Sequence, residues 1–317
     1  MESIALFMNI AIIDLGTNTF NLLVAEVKAD GQYEIIENIK TSVKLGEGCI
    51  NNNYINEAAF KRGTTTLKNY VHIIAKYKVS KTYAYATSGI RSAVNGKDFV
   101  AAAKEILHTE INVISGNKEA ELIYSGVKLS LEIGTEICLI MDIGGGSTEF
   151  IIANNNTLFW KISLDLGAAR LLEKFKPHDP IEIREIKDIE EYLEEELIPL
   201  FQALKTFPVK TLIGSSGSFD TMAEMIAHKF YDPGMIDHRT EYTFKLDDYF
   251  DIHAQLLKSS RQERFKTKGI LEMRVDMIVI ASVFVNFVLN RCNLSSMRLS
   301  TYALKEGVLS EIMNERL

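Results

Sequence analysis

Two stretches of the chain repeat one pattern, a strand, an Asp-x-Gly turn and a second strand, and this repeat strongly constrains the fold. The first stretch is AIIDLGTNTFNLLVAEV, in which Asp14 ends the first strand. The second is ICLIMDIGGGSTEFIIA, in which Asp142 stands at the matching place. A pattern that recurs in the two halves of a chain predicts a duplicated structural unit.

The segments between the two stretches alternate in type. Their patterns predict helices over residues 57–75, 97–108 and 118–131, with strands over 81–86 and 112–114. Strands that alternate with helices indicate an α/β fold with a mostly parallel sheet. We therefore predict two domains, residues 1–127 and 128–301, with a C-terminal helix over 302–317 that packs back on the first domain.

Composition limits the partners that this chain can have. Asp plus Glu number 42 against 35 Lys plus Arg, for a net charge of −7, which argues against a general binder of nucleic acid or membrane surfaces. The apolar stretch 277–289 is too short to span a bilayer, so we expect a buried helix there. Three widely spaced cysteines form no metal or disulfide pattern, which favours a reducing, cytoplasmic location.

Three glycine-rich segments are candidate phosphate loops, because turns without side chains expose backbone N–H groups to anions. An ordinary hairpin turn is the alternative for any one of them. None matches GxxxxGK[ST] or a GxGxxG that opens a helix. The candidate phosphate-binding residues are Gly16, Thr17, Asn18, Gly144, Gly145, Gly146, Ser147, Thr148, Gly214, Ser215 and Gly217.

This combination resembles the actin/Hsp70/sugar-kinase superfamily. The resemblance implies two duplicated, ribonuclease-H-like α/β domains that clamp a phosphate chain and a metal in the cleft between them. Asp14 and Asp142 either cap their turns or bind Mg²⁺, which prefers a few carboxylates together with phosphate oxygens. Glu149 follows the second loop and either holds metal or water, or points from a strand into solvent.

Two further residues carry the candidate chemistry. Arg91, in ATSGIRSA, has the planar guanidinium that suits phosphate, and a surface ion pair is the alternative. Glu119, in ISGNKEAEL, falls in a first helical turn, where the helix dipole alone favours an acidic residue and keeps it ionised. The functional alternative is a general base that takes a proton from water attacking a terminal phosphate.

The chain is similar to the exopolyphosphatase/guanosine pentaphosphate phosphohydrolase (Ppx/GppA) family over nearly its whole length. The matching segments, in the family's order, are AIIDLGTNTFNLLVAEV, KLGEG, ATSGIR, VISGNKEAELIYSGV, DIGGGSTE, SLDLGAARL, GSSGSFDTM, KGILEMRVDMI and STYALKEGVL. DIGGGSTE together with SGNxEA is the most specific pair. The chain resembles the short members, and their lack of an additional C-terminal domain implies less processive cleavage.

The resemblance implies Mg²⁺-dependent hydrolysis of a terminal phosphoanhydride, with Glu119 as the catalytic glutamate and Arg91 on phosphate. It places Asp14, Asp142 and Glu149 on the metal side. Inorganic polyphosphate is the expected substrate, guanosine pentaphosphate is the alternative, and an ATP-dependent kinase or ATP-switched binding protein is a more distant one. A homodimer is plausible from the same resemblance.

The chain departs from the family pattern at two sites. Lys118 stands where many members have a second glutamate. Lys305 replaces the arginine of LREG, which keeps the positive charge and loses the planar, two-pronged donor geometry of a guanidinium. A basic stretch over 258–269 is either a solvated helix face or a groove for a polyanion. Its cations are Lys258, Arg261, Arg264, Lys266 and Lys268.

Overall fold

The computed structural model describes residues 7–28 and 31–314 and contains two β-sheets. The first sheet has five strands. Their order is β3-β2-β1-β4-β5, in which β1, β2 and β3 form an antiparallel meander and β4 and β5 run parallel to β1. The strands are β1 (Met8–Leu15), β2 (Thr19–Val27), β3 (Tyr33–Ser42), β4 (Lys81–Ala86) and β5 (Ile111–Val113).

The second sheet has six strands in the order β10-β11-β9-β6-β7-β8. Its meander β6–β7–β8 is again antiparallel, β9 runs parallel to β6, and β11 runs parallel to β9. The strands are β6 (Cys138–Ile143), β7 (Thr148–Ala153), β8 (Leu158–Leu164), β9 (Thr211–Ser215), β10 (Glu241–Phe244) and β11 (Ser296–Ser300). The repeat predicted from the sequence is thus a repeated sheet topology, and the α/β class is confirmed.

Helices cover both sheets. Those of the first half are α1 (Glu57–Lys76), α2 (Ser88–Arg91), α3 (Gly96–Leu107) and α4 (Gly116–Ser130). Those of the second half are α5 (Ala168–Phe175), α6 (Ile183–Glu196), α7 (Ile198–Thr206), α8 (Gly217–Phe230), α9 (Leu246–Lys258), α10 (Arg261–Lys266), α11 (Ile278–Arg291) and α12 (Leu304–Asn314). We call the first sheet with α1–α4 the first unit, and the second sheet with α5–α11 the second unit.

The helices and strands predicted between the two repeats are all present, with no end shifted by more than two residues. Side-chain caps fix two of the helix starts. Asn56 accepts from the N–H of Ala59 at the start of α1, and Ser115 accepts from the N–H of Lys118 at the start of α4. Each cap satisfies a backbone donor that the first helical turn leaves free.

The predicted buried helix is α11, ten of whose residues are buried in the core of the second unit. Phe284 of α11 packs edge-to-face on Phe150 of β7, with ring centroids 6.1 Å apart. None of the helices within the described ranges is both long enough and apolar enough to cross a membrane.

Helices α4 and α12 form a layer that both sheets share. Apolar residues of β1 and β2, such as Ile12 and Leu23, belong to the same buried cluster as Ile140 of β6 and Ile151 of β7. Leu122 of α4 lies in this cluster as well, among other residues of α4 and α12. One buried core therefore joins the two units.

The two shared helices touch backbone to backbone. A Cβ atom on Gly307 of α12 would overlap the carbonyl oxygen of Leu122, and one on Gly126 of α4 would overlap that of Ala303. Residues 315–317 of the predicted C-terminal helix lie outside the described ranges, and the domain division at residues 127 and 128 stays a prediction.

Candidate functional site

A cavity of about 130 Å³ lies between the two units. It is lined by the turn after β1, the turn after β6 and the start of α8, so the three glycine-rich segments converge on it. Of the predicted site residues, the lining includes Asp14, Gly16, Thr17, Asn18, Glu119, Asp142, Gly144, Gly145, Gly146, Ser147, Glu149 and Gly217.

The turn Gly144–Ser147 is held with its carbonyl groups away from the cavity. The N–H of Ala168, at the start of α5, donates to the carbonyl oxygen of Gly144 at 2.9 Å, and the N–H of Ala169 donates to that of Gly145 at 3.0 Å. In a planar trans peptide the C=O and the next N–H point in opposite directions. The N–H groups of Gly145 and Gly146 therefore point away from α5, which is the arrangement of backbone donors found in anion-binding nests.

Close packing explains the glycines in this turn. A Cβ atom on Gly146 would lie 2.5 Å from Oγ1 of Thr17 and 2.7 Å from Oγ of Ser88. A Cβ atom on Gly145 would lie 2.9 Å from that of Asn18. The turn of the second unit is thus pressed against the turn of the first, which leaves room for backbone only.

The first turn follows the same principle. Thr17 accepts from the N–H of Leu45 at 2.7 Å, and Asn18 accepts from the N–H of Lys44 at 2.8 Å. These bonds turn both carbonyl groups toward the KLGEG segment. The amide Nδ2 of Asn18 and the hydroxyl of Ser88 are buried without a hydrogen-bond partner, so both are free to donate to a ligand.

Glu119 and Arg91 form an ion pair beside the cavity. Nη1 of Arg91 donates to Oε2 of Glu119 at 2.9 Å and to the carbonyl oxygen of Ile114 at 2.9 Å. Glu119 is 7% exposed, and burial raises its pKa to about 7 against the opposing charge of Arg91. Desolvation therefore outweighs the favourable charge of Arg91, and the expectation that the helix dipole keeps this carboxylate ionised stays a prediction.

Three further carboxylates face the same cavity. Asp14 accepts from Nδ2 of Asn21 at 2.8 Å, and its other oxygen, Oδ1, is buried without a partner. Burial raises the pKa of Asp14 and of Asp142 to about 6. Glu149 is 1% exposed, and burial and then the charge of Glu119 raise its pKa well above the ordinary value. This carboxylate cluster is short of positive charge.

The remaining predicted residues lie behind the cavity. Gly214 and Ser215 belong to β9 and not to a loop, and Gly214 packs on the ring of Phe219. The hydroxyl of Ser215 donates to Oδ2 of Asp142 at 2.6 Å, so it orients that carboxylate. Thr148 is the first residue of β7, and its hydroxyl donates to the carbonyl oxygen of Leu166.

Several cavity residues were not assigned from the sequence. Lys305, at the start of α12, is 6% exposed and lines the cavity with Arg274 and Lys40. The guanidinium of Arg274 lies directly on the backbone of Gly217. Lys40 lies on the edge strand β3, Arg274 in the connection between α10 and α11, and Lys305 in the last helix. None of these places carries a local sequence signature of a site, so only the LKEG segment indicated one of the three.

The basic stretch 258–269 is not a continuous polyanion groove. Arg264 is buried, where its guanidinium donates to the carbonyl oxygen of Val275 and to Asp179. Arg261 is paired with Asp276 at 2.6 Å. Two of the five cations are therefore neutralised by carboxylates that lie elsewhere in the sequence.

The structure has two sheets of repeated topology, a helical layer that both share, and glycine-rich turns that face one cleft. It is an α/β protein of the actin-like ATPase superfamily, made of two ribonuclease-H-like units. The chain belongs to the Ppx/GppA phosphatase family, whose pattern matches residues 23–316.

Individual relatives agree with this assignment. The structure is similar to that of an exopolyphosphatase from Cytophaga hutchinsonii, with a TM-score of 0.94, 37% identity and coverage of 97% of this chain and 98% of that one. A Ppx/GppA family member from Aquifex aeolicus gives a TM-score of 0.79 at 27% identity, covering 98% and 99% of the two chains. A curated protein of Haemophilus influenzae, named as a candidate exopolyphosphatase, is 29% identical over 301 residues, which is 95% of this chain and 90% of that one.

Proposed function

We propose that the protein is an exopolyphosphatase that hydrolyses the terminal phosphoanhydride of inorganic polyphosphate and releases orthophosphate. The observation that carries the proposal is the placement of Glu119, with its pKa of about 7, beside two backbone nests in one small cavity. The exopolyphosphatase of Cytophaga hutchinsonii, similar over 97% of this chain, supports the same activity.

We propose Mg²⁺ as the cofactor. Among the described residues no three acidic, histidine or cysteine side chains are arranged to hold a metal by themselves. Mg²⁺ needs only one or two carboxylates, because waters and substrate phosphates complete its shell. Asp14, whose Oδ1 atom is buried and unpartnered, and Asp142 and Glu149 across the cavity fit that role. When bound, the ion neutralises charge on the phosphate chain.

The backbone and side-chain groups of the site then have separate tasks. The N–H groups of Gly145 and Gly146, with Nδ2 of Asn18, bind the oxygens of the terminal phosphates. Arg91 orients the terminal phosphoryl group, and Glu119 positions a water and accepts its proton. Positioning and electrostatic stabilisation account for most of the catalysis of such a displacement, because phosphoryl transfer needs little covalent participation by the protein.

Guanosine pentaphosphate is the second candidate substrate. A cavity of about 510 Å³ adjoins the first, and Lys40, Asp220 and Arg274 line both. Tyr242 and Arg239 line the larger one and offer an aromatic face and hydrogen-bond donors of the kind that hold a nucleoside. A kinase or ATP-switched protein is a third reading, against which the retained Glu119 argues.

The test is phosphate release by the purified protein with Mg²⁺ and with excess chelator. Medium-chain polyphosphate and guanosine pentaphosphate are compared at equal terminal-phosphate concentration, and ATP is tested with and without small acceptors. Mg²⁺-dependent release that favours polyphosphate supports the proposal. A preference for guanosine pentaphosphate replaces the substrate, and transfer from ATP to an acceptor replaces the reaction class.

A homodimer and a cytoplasmic location also remain proposals, which rest on the family resemblance and on cysteine spacing. Light scattering of the purified protein gives the mass in solution. A mass near 35.7 kDa, that of one chain, would contradict the dimer.

A further inference from the structure

We propose that Arg170 is a positioning residue that fixes the phosphate turn Gly144–Ser147 and anchors it to the first unit. The inference rests on the proposed function of this turn. Arg170 lies in the first helical turn of α5, in the segment SLDLGAARL, and its side chain is 11% exposed. It has no place in the assignment of site residues made from the sequence.

One edge of the guanidinium holds the phosphate turn. Nε of Arg170 donates to the carbonyl oxygen of Gly146 at 3.1 Å, next to the bonds that the N–H groups of Ala168 and Ala169 make with Gly144 and Gly145. With its carbonyl held on the α5 side, the peptide between Gly146 and Ser147 turns the N–H of Ser147 away from α5. Arg170 thus completes a row of three donors that point the same way.

The other edge of the guanidinium reaches across to the first unit. Nη1 of Arg170 donates to the carbonyl oxygen of Ile50 at 3.1 Å, in the 3₁₀ turn Ile50–Asn52. That turn follows the KLGEG segment, whose backbone fixes Thr17 and Asn18 of the first phosphate turn. One side chain therefore connects the supports of both phosphate turns.

The charge of Arg170 is poorly compensated where it lies. Its nearest carboxylate is Asp165, whose Oδ1 atom is 3.7 Å from Nη2 and which is 68% exposed. Nη2 is buried and makes no hydrogen bond. A weakly paired charge that is 11% exposed costs stability, so packing alone does not account for an arginine at this position. Its positive charge directly behind the nest adds to the attraction of the turn for phosphate.

The geometry also links the two halves of the site. If the units separate, the bond to Ile50 is lost, and the guanidinium is then free to leave the carbonyl oxygen of Gly146. The phosphate turn keeps its donors aligned when the first unit is in place. We therefore expect substitution of Arg170 to weaken binding of the phosphate chain and also to slow its turnover.

Binding is measured in the Glu119→Gln background, so that the ligand is not consumed. Tripolyphosphate with Mg²⁺ is titrated calorimetrically into Glu119→Gln and into the same protein with Arg170→Met or Arg170→Lys. We expect at least tenfold weaker binding with methionine and a smaller loss with lysine, which keeps the charge and loses the fork. If Glu119→Gln itself fails to bind tripolyphosphate, the proposed function is at fault and not Arg170.

Two control variants separate positioning from general damage. Asn51→Ala removes the neighbouring contact between the units, the bond from Nδ2 of Asn51 to the carbonyl oxygen of Arg170, and leaves the guanidinium in place. Arg291→Met removes an arginine that pairs with Glu194 away from the cavity. We expect both to bind within about threefold of the parent. If the Arg170 variants bind tripolyphosphate as tightly as the Glu119→Gln parent, the inference is overturned. The same holds if Asn51→Ala weakens binding as much as Arg170→Met does.

Discussion

Arg91 and Glu119 are bound to each other, with Nη1 of the arginine 2.9 Å from Oε2 of the glutamate. The arginine comes from α2, directly after β4, and the glutamate from the first turn of α4, directly after β5. Since β4 and β5 are adjacent parallel strands, their carboxyl ends bring the two side chains together. In the proposed function, this pairing places the guanidinium where it can both orient a phosphoryl group and hold the general base.

Replacement of this glutamate by glutamine tests its role as the base. We expect Glu119→Gln to lower the rate of phosphate release by about 10²–10⁴-fold, because the amide cannot accept a proton from water. Glu121→Gln on the same helix is the matched control, since Glu121 pairs with Lys161 at 3.1 Å outside the cavity. Initial rates at saturating polyphosphate decide between them, and normal activity of Glu119→Gln would remove it from the mechanism.

The same substitution has a pH-dependent effect on stability in metal-free protein. The pKa of Glu119 is raised from 4.5 to about 7, so the folded state holds a proton that the unfolded state has lost between these values. Wild-type protein therefore loses stability as pH rises through this window. We expect the free energy of unfolding of Glu119→Gln, relative to that of wild type, to increase by about 2–3 kcal/mol from pH 4.5 to pH 7.5.

Urea unfolding with chelator present, repeated across this pH range, measures the difference. Glu121→Gln is again the control, since it removes a carboxylate of the same helix that lies outside the cavity. A constant difference between Glu119→Gln and wild type would show that burial does not raise the pKa of Glu119.

The position of the glycine-rich turns was predictable from the sequence, because glycines and a preceding aspartate identify a turn at a strand end. Asp14, Asp142 and the segment Gly144–Ser147 do line the cavity. The strand β3 (Tyr33–Ser42) was not predicted. It lies at the sheet edge and alternates between half-buried and exposed residues, so it lacks the apolar run that identified β1 and β6.

Long-range pairing was the part that the sequence could not show. Arg264 looked like one cation of a basic surface, but Asp179, 85 residues earlier, reaches it and allows its burial. Arg170 and Lys305 gain their importance from contacts with segments more than a hundred residues away. Such partners are set by topology, which leaves no spacing pattern around either residue.

The contact between α4 and α12 predicts a steep cost for one methyl group. A Cβ atom on Gly307 would overlap the carbonyl oxygen of Leu122, and helix backbone cannot yield as a flexible side chain does. We expect Gly307→Ala to lower the free energy of unfolding by about 2–3 kcal/mol, as overpacked cores do. Because α4 carries Glu119, we also expect lower activity in the protein that remains folded.

Gly234→Ala is the matched control for this substitution. Gly234 lies in a surface 3₁₀ turn, and a Cβ atom there meets nothing closer than 3.6 Å. Its free energy of unfolding should stay within about 0.5 kcal/mol of wild type. Denaturant unfolding and phosphate release measured on both variants test the prediction, and a Gly307→Ala protein as stable as Gly234→Ala would contradict the close helix contact.

Lys305 and Glu306 form a buried ion pair. We expect removal of the lysine charge alone to lower the free energy of unfolding more than removal of both charges. Nζ of Lys305 lies 2.8 Å from Oε1 of Glu306, and the two side chains are 7% and 0% exposed. Removing the lysine alone leaves the carboxylate of Glu306 buried near Asp14 without a cation beside it. We therefore expect Lys305→Met to cost about 3–5 kcal/mol of unfolding free energy, as breaking one side of a buried pair does.

The double variant Lys305→Met/Glu306→Gln should recover much of that loss, because it removes the uncompensated charge. Lys305→Arg should fold normally, since it keeps the cation. Activity then separates structure from function. If Lys305 also holds the phosphate chain, the double variant will be stable yet show a raised KM for polyphosphate. A stable double variant with an unchanged KM would confine Lys305 to neutralising the carboxylates that surround it.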